Sequence, residues 1–135
     1  MSLGDLQSGR QLDHAVTDGA PKPIGAYSQA VTCGGFVFTS GQIAIDPGSG
    51  ELVKTGIEQE TEQVLRNLSS VLAAAGTGLD RAVRVNVYLT DMALFARVNA
   101  VYGRYFSEPF PARTTVQVSA LPKGASVEID VIAAL

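Results

Sequence analysis

Two periodicities follow one another in this 135-residue sequence, and together they demand a helix packed on a sheet. Val64, Leu65, Leu68, Val71, Leu72 and Ala75 recur at helical spacing, so one stripe of a helix is apolar and has to be covered. Gly76 ends that run, as glycine does where a chain leaves a helix through a left-handed turn. Residues 82–90 then alternate: Val83, Val85, Val87 and Leu89 on one side, Arg84, Asn86, Tyr88 and Thr90 on the other. A period of two describes a strand with one apolar face. A striped helix and a one-sided strand each bury what the other exposes, and their alternation along the chain points to an α+β domain.

The remaining segments extend the pattern. Residues 26–32 and 36–45 are rich in β-branched and aromatic residues and are separated by Cys33-Gly34-Gly35, a hairpin turn. Thr55, with Glu58 three positions on, fits a capping box at the start of the first helix. Asp91 can cap a second helix from Met92 to about Phe106, with Leu94, Phe95, Val98, Tyr102 and Tyr105 inward and Pro109 and Pro111 beyond its end. Residues 113–121 and 126–133 read as a closing hairpin around residues 121–125. The order is therefore β-β-α-β-α-β-β, with two helices covering one face of a mainly antiparallel sheet. Residues 1–20 read as a flexible polar arm and 21–135 as a single domain.

Thr114, Val116 and Val118 are expected to face the helices, leaving Arg113, Thr115, Gln117 and Ser119 on the far side. Glu128 and Asp130 likewise oppose Val127, Ile129 and Val131. Such a polar face is either solvated, as antiparallel sheets usually are, or closed on copies of itself around a site.

Composition narrows the chemistry. Cys33 is the one cysteine, so an internal disulfide is excluded; beside Gly34-Gly35 it reads as structural, and a reducing compartment, the cytoplasm, is expected. His14 is the one histidine, which removes His-based triads and multi-His metal sites, and no metal is expected. The net charge of −3, with Lys and Arg scattered singly, counts against nucleic acid as the principal partner. No apolar run approaches the ~20 residues of a membrane-spanning helix, and the polar start predicts no signal peptide.

Four segments carry a resemblance. They are Pro23-Ile24-Gly25-Ala26-Tyr27-Ser28-Gln29-Ala30, Phe38-Thr39-Ser40-Gly41-Gln42-Ile43, Phe95-Ala96-Arg97-Val98-Asn99 with Tyr102, and Phe110-Pro111-Ala112-Arg113-Thr114-Thr115-Val116 followed by residues 121–129. In order and spacing, from about residue 20 to the end, the chain resembles the RidA/YjgF family. The resemblance implies a chorismate-mutase-like fold of the bacillary type, assembled as a trimer with the sheets forming a central barrel. It also implies a cofactor-independent hydrolase that converts reactive 2-enamine and 2-imine acids, such as 2-aminoacrylate and 2-iminopropanoate, to 2-oxo acids and ammonia. Older labels for similar proteins are endoribonuclease and translation inhibitor, and a non-catalytic trimeric binder of small carboxylates is a further alternative.

By the same resemblance, Arg113 stands where the family binds the substrate carboxylate, a task suited to a planar, permanently charged fork. Glu128 matches the glutamate that orients or activates the attacking water, and Tyr27 a tyrosine whose hydroxyl reaches the ligand. Ser40 and Gly41 match a strand whose hydroxyl and backbone contact the substrate, while Asn99 matches an asparagine read as fixing a helix end or loop. Thr115 stands where the archetypal deaminases have cysteine; threonine can still hydrogen-bond a ligand, and attack by water needs no thiol. In a closing hairpin Glu128 would pair near Val118, leaving Arg113 and Glu128 about 16 Å apart. If both serve one site, as the resemblance implies, they must come from neighbouring subunits unless a bulge or bend shortens the path.

Overall fold

The computed structural model of the chain describes residues 12–135. Val64, Leu65, Leu68, Val71 and Leu72 are all fully buried, and their stripe is the inner seam of helix α1 (Ile57–Ala74). The helix closes as its sequence predicts: Gly76, at φ 88°, donates to the Ala73 carbonyl and Thr77 to that of Leu72. These two bonds satisfy carbonyls that the last turn would otherwise leave open. The start differs from expectation. Gly56 holds the N-cap position without a side-chain bond, so the Thr55–Glu58 box does not form. Glu58 instead accepts from Arg97 Nε (2.6 Å) and Nη2 (2.9 Å), linking the two helices.

Under α1 lies one six-stranded sheet in the order β1-β2-β3-β6-β4-β5, with β1 Asp13–Ala15, β2 Ala30–Cys33, β3 Phe36–Thr39, β4 Ala82–Leu89, β5 Ala112–Gln117 and β6 Val127–Ala134. Only β4 and β5 run parallel, joined across helix α2 (Phe95–Tyr105). Val85, Val87, Leu89, Val127, Ile129 and Val131 are buried against the helices, as their alternation requires. Val83 breaks the rule and is exposed, because the ladder shifts register between Ala82 and Arg84. Asp91 caps as expected, accepting from the Ala93 amide at 2.9 Å, although a short 3-10 turn (Met92–Leu94) precedes α2.

Three further expectations are corrected. Asp13–Ala15, expected within the loose arm, pairs with β2 and buries Ala15; residues 1–11 of that arm lie outside the described residues. The first two expected strands are shortened to β2 and β3. Residues 26–29 and 40–45 are instead pinned irregularly, by Gln29 and by reciprocal backbone bonds between Gln42 and Ile129.

The closing hairpin does not form. β6 pairs with β3 and β4, and β5 is the sheet edge beyond β4. Two alternating runs joined by a turn-rich link look alike in sequence whether they pair or are separated by a third strand. The consequence is a reversal of faces. Arg113 stands beside Val85, Thr115 beside Val87 and Gln117 beside Leu89, so these three lie on the helix side and Thr114 and Val116 on the open side. Position 113 tolerates this because β5 is an edge, where the cover is the polar and aromatic flank of α2.

On the open face Glu128, Asp130, Asn86 and Tyr88 lie among Phe36, Phe38 and Val116, all three apolar side chains being 40% or 41% exposed. Asn86 Nδ2 donates to Asp130 Oδ1 at 2.8 Å. No helix among the described residues is long and apolar enough to cross a membrane.

Candidate active site

The residues singled out in the sequence gather in two places. The first is built where β6 meets the irregular segment after β3. Gly41 passes so close to Glu128 that a Cβ placed on it would lie 2.8 Å from Glu128 Cδ. Ser40 fixes that segment: its amide donates to the Gln29 carbonyl at 2.9 Å and its hydroxyl to the Ser28 carbonyl at 2.6 Å. The Ser40 hydroxyl is thus directed at backbone, holding the loop that presents Tyr27. Gln29, itself buried, secures the same loop by donating to the carbonyls of Thr17 and Pro21. Glu128, Gly41, Tyr27, Gln42 and Lys123 line a cavity of about 590 Å³. Lys123 adopts φ 57°, a left-handed conformation that costs a non-glycine residue energy, at the turn before β6. Burial, reinforced by the negative charge of Asp130, holds the Glu128 carboxyl above its ordinary value of 4.5.

The second place is the outer edge of the sheet. Arg113 rises from β5 towards α2, where Nη1 donates to Asn99 Oδ1 at 2.7 Å. Its Cζ lies 4.6 Å from the centroid of the Tyr102 ring and 5.4 Å from that of Phe95. No carboxylate among the described residues is within ion-pairing distance, so none of them compensates the charge of the guanidinium. Asn99, Tyr102, Gly103, Phe110, Pro111 and Arg113 line a cavity of about 420 Å³. Thr115 shares the helix-side face two positions on, its Oγ1 buried and without a hydrogen-bond partner among the described residues. Burial raises the Tyr102 phenol above its usual range, against an opposing pull from Arg113, so the ring stays neutral at ordinary pH.

Within one chain the two places do not meet. Arg113 and Glu128 lie on opposite faces of the sheet with β4 between them. Three positions along the strands and two strand spacings across separate their backbones by roughly 14 Å. The structure therefore gathers Glu128, Gly41 and Tyr27 at one cavity, Arg113 and Thr115 near another, and keeps the groups apart. Two residues were misjudged from sequence. Asn99 holds the arginine and does not cap a helix end or loop, and Tyr102, read as core, also faces Arg113. The available signal was the spacing of Phe95, Asn99 and Tyr102, which share one helix face.

The family model described as Endoribonuclease L-PSP matches residues 17–135. The chain belongs to the RidA/YjgF family. It is 53% identical over 117 residues to a RutC family protein of Pyrococcus horikoshii, covering 87% of this chain and 93% of that one. To the 2-iminobutanoate/2-iminopropanoate deaminase of Rattus norvegicus it is 47% identical over 117 residues, covering 87% of this chain and 85% of the relative. The crystal structure of RidA from an Antarctic Psychrobacter superposes with a TM-score of 0.87 at 46% identity, covering 91% of this chain and 99% of that one. The α+β architecture read from the sequence, two helices on a mostly antiparallel sheet, is thus the family's own. The deaminase relative supports a Rid-family enzyme role.

Proposed function

We propose that this RidA/YjgF protein hydrolyses 2-enamine and 2-imine acids to 2-oxo acids and ammonia without a cofactor, at sites completed between subunits of a homotrimer. The observation that carries the reading is the pair of half-built sites. One offers an arginine held by Asn99 and without an ion pair among the described residues, and the other a carboxylate of raised pKa, on faces of the chain that cannot converge. In the composite site Arg113 of one subunit binds the substrate carboxylate, which places the adjacent C=N carbon over Glu128 of the next. Glu128 accepts a proton as water adds to that carbon and returns one to nitrogen, so that ammonia leaves as the C=O bond forms. Tyr27 and the Gly41 backbone bound the substrate, whereas the Thr115 hydroxyl, expected from the sequence to contact it, is buried and stands outside the lining of the Arg113 cavity. The uncovered apolar side chains support closure on a second copy: Phe36, Phe38 and Val116 on the open sheet face, Ile24 and Tyr27 at one cavity and Phe110 at the other.

The test is release of pyruvate and ammonia from 2-aminoacrylate generated in situ. Acceleration above the spontaneous rate is expected. Its absence would overturn the reading, and 2-oxo acid binding without turnover would leave a carboxylate-binding protein.

Two further results are expected from the same geometry. Gly41→Ala should lower kcat/KM by roughly tenfold, because the new Cβ displaces the Glu128 carboxylate by roughly half an ångström. Thermal denaturation should barely change, since Gly41 does not occupy the left-handed region and the group that yields is a side-chain end. Unaltered kinetics would show that the placement of Glu128 is immaterial.

The pH profile follows from the direction of the Glu128 shift. A general base works deprotonated, so kcat/KM should fall as pH drops through a midpoint above 4.5. Asp130→Asn removes the repelling charge and should move that limb to lower pH; an unmoved limb would assign it to another group. The stability effect has the opposite sense. A carboxyl whose folded pKa is raised stabilises the fold below its unfolded value and loses that contribution as pH rises through the folded one.

A further inference from the structure

Arg113 occupies an exposed edge strand, yet three side chains from one face of α2 converge on it. Phe95, Asn99 and Tyr102 follow one another at spacings of four and three, which puts them on a single helical stripe. Asn99 takes one in-plane proton, whereas the Tyr102 ring lies beside the guanidinium, 4.6 Å from Cζ to centroid, with Phe95 at 5.4 Å. Tyr102 is itself packed in place: only 6% exposed, it stacks on the buried Phe106 with ring centroids 4.3 Å apart.

We propose that Tyr102, assisted by Phe95, is a positioning residue that sets the plane of the Arg113 guanidinium for a planar carboxylate, an inference resting on the deaminase reading above. A free arginine samples many rotamers and loses that freedom when it binds; one already held against a ring loses less. The attraction is between a cation and the negative face of an aromatic ring, so it does not consume the edge N–H donors. Those donors remain for a bidentate carboxylate, whose two oxygens lie in one plane. The Tyr102 hydroxyl is buried near the guanidinium without a hydrogen bond of good geometry among the described residues, and exchange for phenylalanine separates its contribution from that of the ring.

The experiment compares Tyr102→Leu, Tyr102→Phe and Phe95→Leu in the full-length protein. KM and kcat are measured for 2-aminoacrylate, and the Arg113 Nε–H resonance is recorded by 15N NMR. Tyr102→Leu is expected to raise KM on the order of tenfold with kcat changed by no more than about twofold. Tyr102→Phe should restore KM and the ring-current shift of the arginine signal that the leucine variant loses. Should Tyr102→Leu fail to fold, Phe95→Leu, at a half-buried position, should raise KM in the same sense by a smaller factor. An unchanged KM in a folded Tyr102→Leu protein, or a phenylalanine variant as impaired as the leucine one, would overturn the proposal. So would an arginine resonance indifferent to the ring. A wild type without turnover would defeat the deaminase reading, and the NMR comparison would still decide whether the ring holds the guanidinium.

Discussion

Arg113→Ala is expected to lose at least about a hundredfold in 2-imino acid hydrolysis while the protein stays folded. A bidentate, charge-assisted contact to a carboxylate contributes a few kcal/mol, and each 1.4 kcal/mol of lost transition-state binding is roughly tenfold in rate. The fold has little at stake. Arg113 is exposed on an edge strand and has no ion pair among the described residues, so losing its contacts to Asn99 and the Tyr102 ring should cost about 1 kcal/mol. Circular dichroism should therefore match the wild type and the denaturation midpoint should fall by only a few degrees, while steady-state ammonia release collapses. Full turnover in a folded Arg113→Ala protein would detach the reaction from this site.

The second large effect is a gain. Arg113→Ala and Glu128→Ala, each inactive alone, should recover activity when mixed under conditions that exchange subunits. The two side chains lie on opposite faces of one sheet, so no rotamer of either brings them to one small ligand. If each site takes its arginine from one subunit and its glutamate from the next, equal mixing leaves about a quarter of the sites intact in closed cyclic trimers. Steady-state rates after exchange, with subunit mixing confirmed by native mass spectrometry, measure that fraction. Zero recovery, or a monomer in sedimentation at working concentration, would refute a shared site. The corrected topology sharpens the argument: a hairpin left only a distance to overcome, whereas the observed sheet places β4 and its own thickness between the groups.

Much of this architecture was legible in the chain because it is decided locally. The buried seam of α1 follows from side chains three and four apart, and its end from the conformational freedom of Gly76. The inward faces of β4 and β6 follow from a period of two, and the start of the second helical segment from the Asp91 carboxylate reaching an amide two residues away. The candidate residues were legible by resemblance alone. An arginine on an edge strand and a glutamate on an open face carry no local mark of chemistry.

What the sequence by itself determined was the two helices, the cores of β2 to β6 and, for α1, β4 and β6, which face is apolar; β1 carries no such mark. What only the tertiary structure decided was which strands became neighbours beyond the β2–β3 hairpin. β4 can pair on both edges, and the parallel return through α2 placed β5 on one edge and β6 on the other. That choice turned Arg113 towards Asn99 and Tyr102, and gave Glu58 to Arg97 instead of to its own helix end. Each is a contact between residues far apart in the chain. Its energy depends on which elements the completed core holds side by side, a quantity that no window of neighbouring residues contains.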